Sequence, residues 1–483
     1  MNAIKRVAKN MGALSFAILA SKLLSFFFVM YIARYLGSEG FGVLSFAIAF
    51  TGVLGIFSDI GLGALTTREV ARENKLADKY VGNIFAIKLI LAIFTFGLIA
   101  FAINLLNYPQ QTIIIVYFVG LSTIIGSFSG IFYSIFRAFE KMGYHALGDI
   151  LSSMLLFIGA LFVINKGLDI VKLAYVYFFT SIIVLTYYYT VCAIKFVPLK
   201  LKIDFKFWKG AIKKAFPFGL INIFIVTFYW IDSVMLSLMQ GDMSVGLYSV
   251  ASTMVIALAF IPIVFHQAIF PLTSRFFKTS KELLKFVTER YFRYMLIISV
   301  PLAVGTTLLA DKIILSIFGT AYSLSIVALQ ILIWGVIFNF TSISFENLFY
   351  SIDKQYIVTI GIGLAAILNI AMNFFLIPRY DFVGASIATT ITWIFCFSFM
   401  YFQASKTEYN HLNKNTLKLT IKVLISCLIM GLFVLYSKIN LVLTIFIAAL
   451  IYFCLLYIIK GFDKKDMAII QKLFSIGNSL KNE

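Results

Sequence analysis

Residues 81–106 read VGNIFAIKLILAIFTFGLIAFAINLL, and Lys88 carries the one charged side chain among these 26 positions. A helix needs about 20 apolar residues to cross the hydrocarbon core of a bilayer, so this segment is long enough to span a membrane. Inside lipid the backbone amides and carbonyls of a segment must be hydrogen-bonded, which makes the span an α-helix. The segment decides the fold class because it is one of fourteen.

The apolar spans account for most of the chain. Of the 483 residues 61% are hydrophobic and 13% are charged, whereas soluble domains have about 45–50% apolar and about 25% charged residues. This composition excludes a soluble globular protein and predicts an all-α polytopic membrane protein. The predicted spans cover residues 11–33, 41–63, 81–106, 112–136, 144–165, 171–194, 215–239, 245–271, 291–310, 322–350, 355–377, 383–405, 419–437 and 439–460.

The distribution of positive charge predicts the orientation. The chain has 40 Lys+Arg and 21 Asp+Glu, which gives a net charge of +19. When the connecting segments are assigned alternately to two sides, 32 of the 40 basic residues fall on the side of the N-terminus and 6 on the other. Cytoplasmic loops carry an excess of Lys and Arg. We therefore expect a multi-pass protein of the cell membrane with both termini in the cytoplasm, in contact with membrane lipids and not with nucleic acid.

Several classes of site are missing from the sequence. There is no G-x-x-x-x-G-K-[ST] phosphate loop, so no nucleotide-hydrolysing motor is expected. The four cysteines lie singly in apolar runs, and the three histidines are scattered without an H-E-x-x-H pattern. We expect neither a disulfide framework nor a metal site, and no cofactor.

A weak internal repeat divides the chain. Three short matches occur in the same order, and each pairs a span with the span six later: residues 42–47 with 246–251, 132–135 with 349–352, and 169–171 with 381–383. Six spans per unit give two parallel repeats, an arrangement found in carriers with a substrate site between the halves. The predicted parts are an N-terminal six-helix bundle, a basic cytoplasmic linker, a C-terminal six-helix bundle, helices 13 and 14, and a cytoplasmic tail, at residues 1–194, 195–214, 215–405, 406–460 and 461–483.

Motifs near the N-terminus carry a family resemblance. Residues 33–42 read ARYLGSEGFG, and residues 59–63, DIGLG, lead to REVAR at 68–72. These motifs and the twelve-plus-two layout resemble the polysaccharide-transport branch of the multidrug/oligosaccharidyl-lipid/polysaccharide exporter superfamily. That branch contains the flippases of O-antigen and related lipid-linked oligosaccharides.

The resemblance implies a function. It predicts an alternating-access flippase, not an enzyme, that moves polyprenyl-(pyro)phosphate-linked oligosaccharides from the inner to the outer leaflet for the assembly of cell-surface glycans. Glycosyltransferases or a polymerase of the same pathway would be its partners. It also implies a cationic, water-filled cavity for the anionic head group.

Ionisable side chains inside spans are the candidates for the substrate cavity. Each costs roughly 2.5–3.5 kcal/mol at a helix centre, so it needs a partner or water. Lys22, about midway along span 1, could hold a phosphate; alternatively it forms an ion pair with Asp59 that holds two helices together. Lys88 is a second candidate, or its ammonium reaches the inner surface. Asp232 could bind a coupling ion, either H+ or Na+, and two asparagines complete the cavity set, Asn222 and Asn339.

A second group of charges lies near the predicted cytoplasmic ends of the spans. These residues could form a gate or mouth for the substrate, or they could be inner-surface anchors; they are Asp59, Arg68, Arg72, Arg137 and Glu346. Further polar residues inside spans could line the cavity or bond helix to helix, among them Asn369, Asn373, His266 and Gln267.

Two other functions fit a polytopic chain. A cation-coupled multidrug antiporter of the same superfamily would use membrane acids for cationic drugs, whereas Lys22 and Lys88 favour an anionic substrate. A membrane-embedded glycosyltransferase or polysaccharide polymerase usually has a large outer loop with catalytic carboxylates, and no predicted outer loop here exceeds roughly a dozen residues. The identities of the sugar, the polyprenol and the coupling ion stay open.

Overall fold

The computed structural model describes residues 3–409 and 414–462, with the side chains of residues 19–409 and 416–462. Within these ranges the regular elements are helical, and no β-strand occurs. The predicted tail lies outside the described residues from residue 463 onward. The α-helices are α1 (Ala3–Gly55), α2 (Leu62–Arg72), α3 (Ala77–Leu105), α4 (Gln110–Ala138), α5 (Gly143–Asn165), α6 (Ile170–Lys195), α7 (Phe205–Gln240), α8 (Asp242–Leu258), α9 (Phe260–Thr279), α10 (Lys281–Ile317), α11 (Ser325–Ser351), α12 (Gln355–Ser405), α13 (Lys414–Tyr436) and α14 (Leu441–Ile458).

Twelve helical segments among the described residues are long and apolar enough to cross a membrane. Two of the helices involved are interrupted, α1 at Gly37 with φ 69° and α12 at Asp381 with φ 55°. If each arm of these two helices crosses once, the twelve segments supply the fourteen predicted crossings. The predicted all-α polytopic architecture is confirmed. The inner side, below, is the side to which the charge bias assigns the N-terminus.

The chain forms two compact units. Unit 1 comprises Met1–Phe260, Ile317–Ala328 and Thr359–Thr392, and unit 2 comprises Ile261–Ser316, Leu329–Val358 and Trp393–Glu483. The two six-helix halves that the sequence repeat indicates stay a prediction.

Within unit 1, the second arm of α1 packs backbone to backbone against α8. A Cβ atom added to Gly42 would lie 1.7 Å from the carbonyl oxygen of Asp242, and one added to Gly246 would lie 1.9 Å from that of Ser38. Residues without side chains are therefore required at both positions. The two glycines hold equivalent places in the sequence repeat, so related segments contact each other through related residues.

The inner side of unit 1 is built around the turn that joins α1 to α2. Gly61 has φ 85°, and a Cβ atom there would lie 2.4 Å from the backbone nitrogen of Gly219 in α7. The basic linker predicted over residues 195–214 is partly helical, because α7 begins at Phe205. The Trp208 indole donates to Asn83 Oδ1 over 3.1 Å, so this part of the linker is fixed to α3.

Unit 2 fixes the two C-terminal helices to its own core. The Tyr452 hydroxyl of α14 donates to the Ile297 carbonyl of α10 over 2.8 Å. A Cβ atom on Gly431 of α13 would lie 3.3 Å from the Leu308 side chain of α10. Helices α13 and α14 are thus packed parts of unit 2.

Candidate functional site

A buried ion pair joins α3 to the end of α1 in unit 1. Lys88 Nζ lies 2.5 Å from Asp59 Oδ1; the lysine side chain is fully buried, and that of Asp59 is 28% exposed. The ammonium also donates to the Ser127 carbonyl. Helical side chains tilt toward the N-terminus of their helix, and α3 runs from the inner side outward. Lys88 therefore points back toward Asp59, whose carboxylate also accepts the Gly63 amide over 3.2 Å.

This geometry changes two sequence-based expectations. Helix α3 begins at Ala77, so Lys88 lies eleven residues into it, about 16 Å from its first residue. At that depth the ammonium is paired inside the protein and does not reach the inner surface. Asp59, which the sequence offered as a partner for Lys22, instead pairs with Lys88.

Lys22 is exposed on α1, and no carboxylate of the described residues lies within 4 Å of its ammonium. Its depth follows from the packing of α1 on α5, where the hydroxyls of Ser25 and Ser153 are 3.3 Å apart. That contact places Lys22 level with Asp149, six residues into α5 and about 9 Å from its start. The residue therefore lies nearer the inner end of the bundle than the expected midpoint. Its charge acts on the Asp149 carboxylate.

The arginines predicted at the inner mouth have separate partners. Arg68 Nη2 lies 2.6 Å from Glu69 Oε1 on α2, and Arg72 Nη1 lies 3.8 Å from the same oxygen. The guanidinium of Arg137 stacks 4.8 Å from the ring centre of Tyr133 at the inner end of α4. Arg68 and Arg72 are thus held by α2 and not by Asp59.

The second feature of unit 1 is a buried polar network around Asp232 in the outer half of α7. Asp232 is 2% exposed. Its carboxylate accepts three side-chain hydrogen bonds: from Tyr248 over 2.5 Å, from Thr389 over 2.7 Å and from Asn373 over 2.5 Å. The Asn373 amide nitrogen also donates to Asn369 Oδ1 over 3.0 Å.

The network is a candidate site for a small cation. Carboxylate and amide oxygens are ligands that hard cations prefer, and Asn373 Oδ1 is buried without a hydrogen-bond partner among the described residues. No group of three or more His, Cys, Asp or Glu that could hold a metal ion occurs in the described part. A single carboxylate with neutral oxygens suits one monovalent ion or a proton. The sequence indicated Asp232, and the four-residue spacing of Asn369 and Asn373 indicated one helix face, but Tyr248 and Thr389 gave no signal.

Unit 2 holds the remaining acid, Glu346, near the inner end of α11. The Ser342 hydroxyl donates to Glu346 Oε1 over 3.4 Å, and no basic side chain of the described residues lies within 4 Å of this carboxylate. The next residue, Asn347, accepts from Thr273 over 2.9 Å and contacts the His266 ring over 3.3 Å. His266 is therefore held in a helix-to-helix network between α9 and α11.

Two predicted cavity residues make no side-chain hydrogen bond within the described chain. Asn222 is exposed on α7, and Asn339 is half-buried on α11. The structure thus brings Lys88 and Asp59 together, keeps Asp232 apart from them in its own network, and places Glu346 and Asn339 in unit 2. The transport roles of these residues stay predictions.

Comparisons with known proteins cover most of the chain. A family model described as polysaccharide biosynthesis protein matches residues 7–277. A proposed O-antigen transporter of Shigella flexneri is 28% identical over 382 residues, which cover 75% of this chain and 88% of that protein.

Two solved structures share the fold. The lipid II flippase MurJ in an inward closed conformation has a TM-score of 0.77 at 18% identity, covering 92% of this chain and 98% of that one. An inward-facing multidrug resistance transporter of the MATE family has a TM-score of 0.63 at 15% identity, covering 80% and 94%. At these identities the likeness concerns the fold alone.

Proposed function

Because the chain belongs to the family of polysaccharide biosynthesis proteins, we propose that it is an alternating-access flippase for polyprenyl-(pyro)phosphate-linked oligosaccharides. The head group enters from the inner leaflet and leaves toward the outer leaflet, while the lipid tail stays in the bilayer. The likeness to a proposed O-antigen transporter and to the fold of a lipid II flippase supports this substrate class over a cationic drug.

Lys22 is the observation that carries the proposal. Its ammonium is exposed about 9 Å inside the inner end of α5, and no carboxylate of the described residues pairs with it. A cation inside a membrane protein is costly unless water or an anion compensates it. A phosphate or pyrophosphate supplies that compensation, and the loss of its own hydration is offset by the same contact.

No catalytic residue is required, because no bond of the substrate is broken or formed. The substrate would come from glycosyltransferases on the inner side and would pass to a polymerase or transferase outside. The membrane potential contributes about 2.3 kcal/mol per elementary charge per 100 mV. With the inside negative, it favours the outward movement of an anionic head group.

An ion bound at Asp232 would act on the return of the empty carrier. We infer that the Asp232 network takes up H+ or Na+, because its buried carboxylate is bonded to neutral donors and no basic side chain of the described residues lies within 4 Å of it. A bound cation would neutralise the carboxylate and change which conformation is favoured.

The experiment is flipping of a fluorescent polyprenyl-pyrophosphate oligosaccharide in liposomes that contain the full-length protein. Wild type is compared with Lys22→Ala and with Lys166→Ala, a control that removes a lysine at the opposite end of α5. We expect transport by wild type and by the control, and a loss of tenfold or more in Lys22→Ala. Transport by Lys22→Ala equal to wild type would refute the role of Lys22. Export of cationic dyes without flipping of any glycan lipid would instead identify a multidrug antiporter.

A further inference from the structure

A cluster of charged and aromatic side chains surrounds Lys22 at the inner end of unit 1. His145 and Asp149 lie one turn apart on α5, with His145 Nδ1 3.4 Å from Asp149 Oδ2. The His145 ring stacks on Tyr133 of α4 with ring centres 4.0 Å apart, and the Arg137 guanidinium covers Tyr133. Four positions that are distant in sequence thus form one continuous stack beside the lysine.

The position of Asp149 is fixed by its neighbours. Tyr188 of α6 donates its hydroxyl to the His145 carbonyl over 3.1 Å. A Cβ atom on Gly148 would lie 2.3 Å from the Tyr188 ring, so the ring packs directly on the α5 backbone beside Asp149. The carboxylate itself remains 44% exposed. It is therefore held in place and still reachable by water.

The charges in this cluster are unevenly paired. Asp149 has His145 on its own helix, while Lys22 of α1 lies beyond 4 Å but close enough to act on it electrostatically. An acidic side chain beside an exposed lysine neutralises the site when no ligand is bound. An incoming phosphate would compete with it for the ammonium.

We propose that Asp149 is the displaceable counter-ion of Lys22, which occupies the anion site of the empty carrier and gives way to the phosphate of the lipid-linked substrate. This inference rests on the proposed function and adds a residue that sets the affinity for the head group. After displacement, Asp149 keeps His145 as a partner, and Arg137 lies on the far side of the Tyr133 ring as a further positive charge. The site thus exchanges one anion for another.

The consequence is that removal of the carboxylate should strengthen anion binding. Asp149→Asn keeps the size of the side chain and removes its charge. Because Asp149 is partly exposed, its coupling to Lys22 should be of the size found for exposed pairs, so we expect about fivefold tighter binding. The gain must depend on Lys22.

The test is a double-mutant cycle on the full-length protein in detergent, with farnesyl pyrophosphate as the probe and its dissociation constant as the readout. The variants are Lys22→Ala, Asp149→Asn, the double variant and Asp149→Glu, each with an unchanged elution profile. We expect tighter binding in Asp149→Asn, weaker binding in Lys22→Ala, no further gain from Asp149→Asn in the Lys22→Ala background, and wild-type binding in Asp149→Glu. Asp78→Asn is the matched control, because Asp78 is 43% exposed and also pairs with a lysine, Lys202.

The outcomes separate the two proposals. If wild type binds, Lys22→Ala binds less and Asp149→Asn equals wild type, the flippase stands and the counter-ion is refuted. The counter-ion is also refuted if Asp149→Asn tightens binding equally with and without Lys22, or if Asp78→Asn has the same effect. If wild type shows no binding, the anion site of the proposed function is itself refuted, and the inference falls with it.

Discussion

The Lys88–Asp59 pair allows a prediction about stability, because its two members differ in exposure. Asp59→Asn would leave the Lys88 ammonium fully buried, with the Ser127 carbonyl as its remaining partner among the described residues. Lys88→Met would leave a carboxylate that is 28% exposed and still bonded to the Gly63 amide. Asp59→Asn should therefore be the more destabilising change.

The magnitudes follow from the two environments. Loss of one partner of a buried ion pair costs about 3–5 kcal/mol. An ordinary lysine can escape by releasing its proton, which costs about 4–5 kcal/mol at pH 7 and sets a similar upper limit. Water and a backbone amide can compensate Asp59, so Lys88→Met should cost about 1–2 kcal/mol. The double variant loses both charges and should unfold within about 1 kcal/mol of wild type.

The assay is the free energy of unfolding of the purified full-length protein, measured under conditions where unfolding is reversible, with thermal melting to confirm the ranking. Asp78→Asn serves as the control, because it breaks an exposed pair with Lys202 and should cost no more than about 1 kcal/mol. Equal losses in the two single variants would contradict the reasoning. So would a double variant as unstable as Asp59→Asn, because the cost would then not come from an unpaired buried charge.

Two further changes test other parts of unit 1. Asp232→Asn should leave the unfolding free energy within about 1–2 kcal/mol of wild type, since the side chain keeps its shape, yet remove the response of flipping to an imposed H+ or Na+ gradient; an unchanged response to both gradients would exclude this site from coupling. Gly42→Ala places a Cβ atom 1.7 Å from the Asp242 carbonyl oxygen, so α1 and α8 must separate, and a cysteine introduced as Val43→Cys should react several-fold faster with a polar thiol reagent than in the Gly42 parent. Unchanged reactivity would show that the contact relaxes without opening.

The sequence was sufficient for the helices because length and hydropathy are local properties. The interruptions of α1 and α12 at Gly37 and Asp381 fall at predicted outer loops, since the flanking apolar runs are each long enough to cross a bilayer. What local patterns could not supply was the register between helices. The depth of Lys22 became clear only from the Ser25–Ser153 contact of α1 and α5.

The same limit applies to the candidate sites. Lys88 and Asp59 were each recognised as unusual charges, but their pairing depends on how α3 lies beside the end of α1. Asp149 was not singled out, because its position six residues into α5 places it close to a predicted cytoplasmic loop. Its relation to Lys22 is a property of two helices packed side by side, and no spacing along the chain encodes it.

The contact between Gly42 and Gly246 has a consequence for how the two repeats could have diverged. Each glycine is faced by the counterpart of its own segment, and each leaves no room for a side chain. A substitution in either copy is therefore felt at once by the other, and the two segments cannot drift independently at this point. Elsewhere the two sequences were free to separate until only short matches remained; here they still answer to each other.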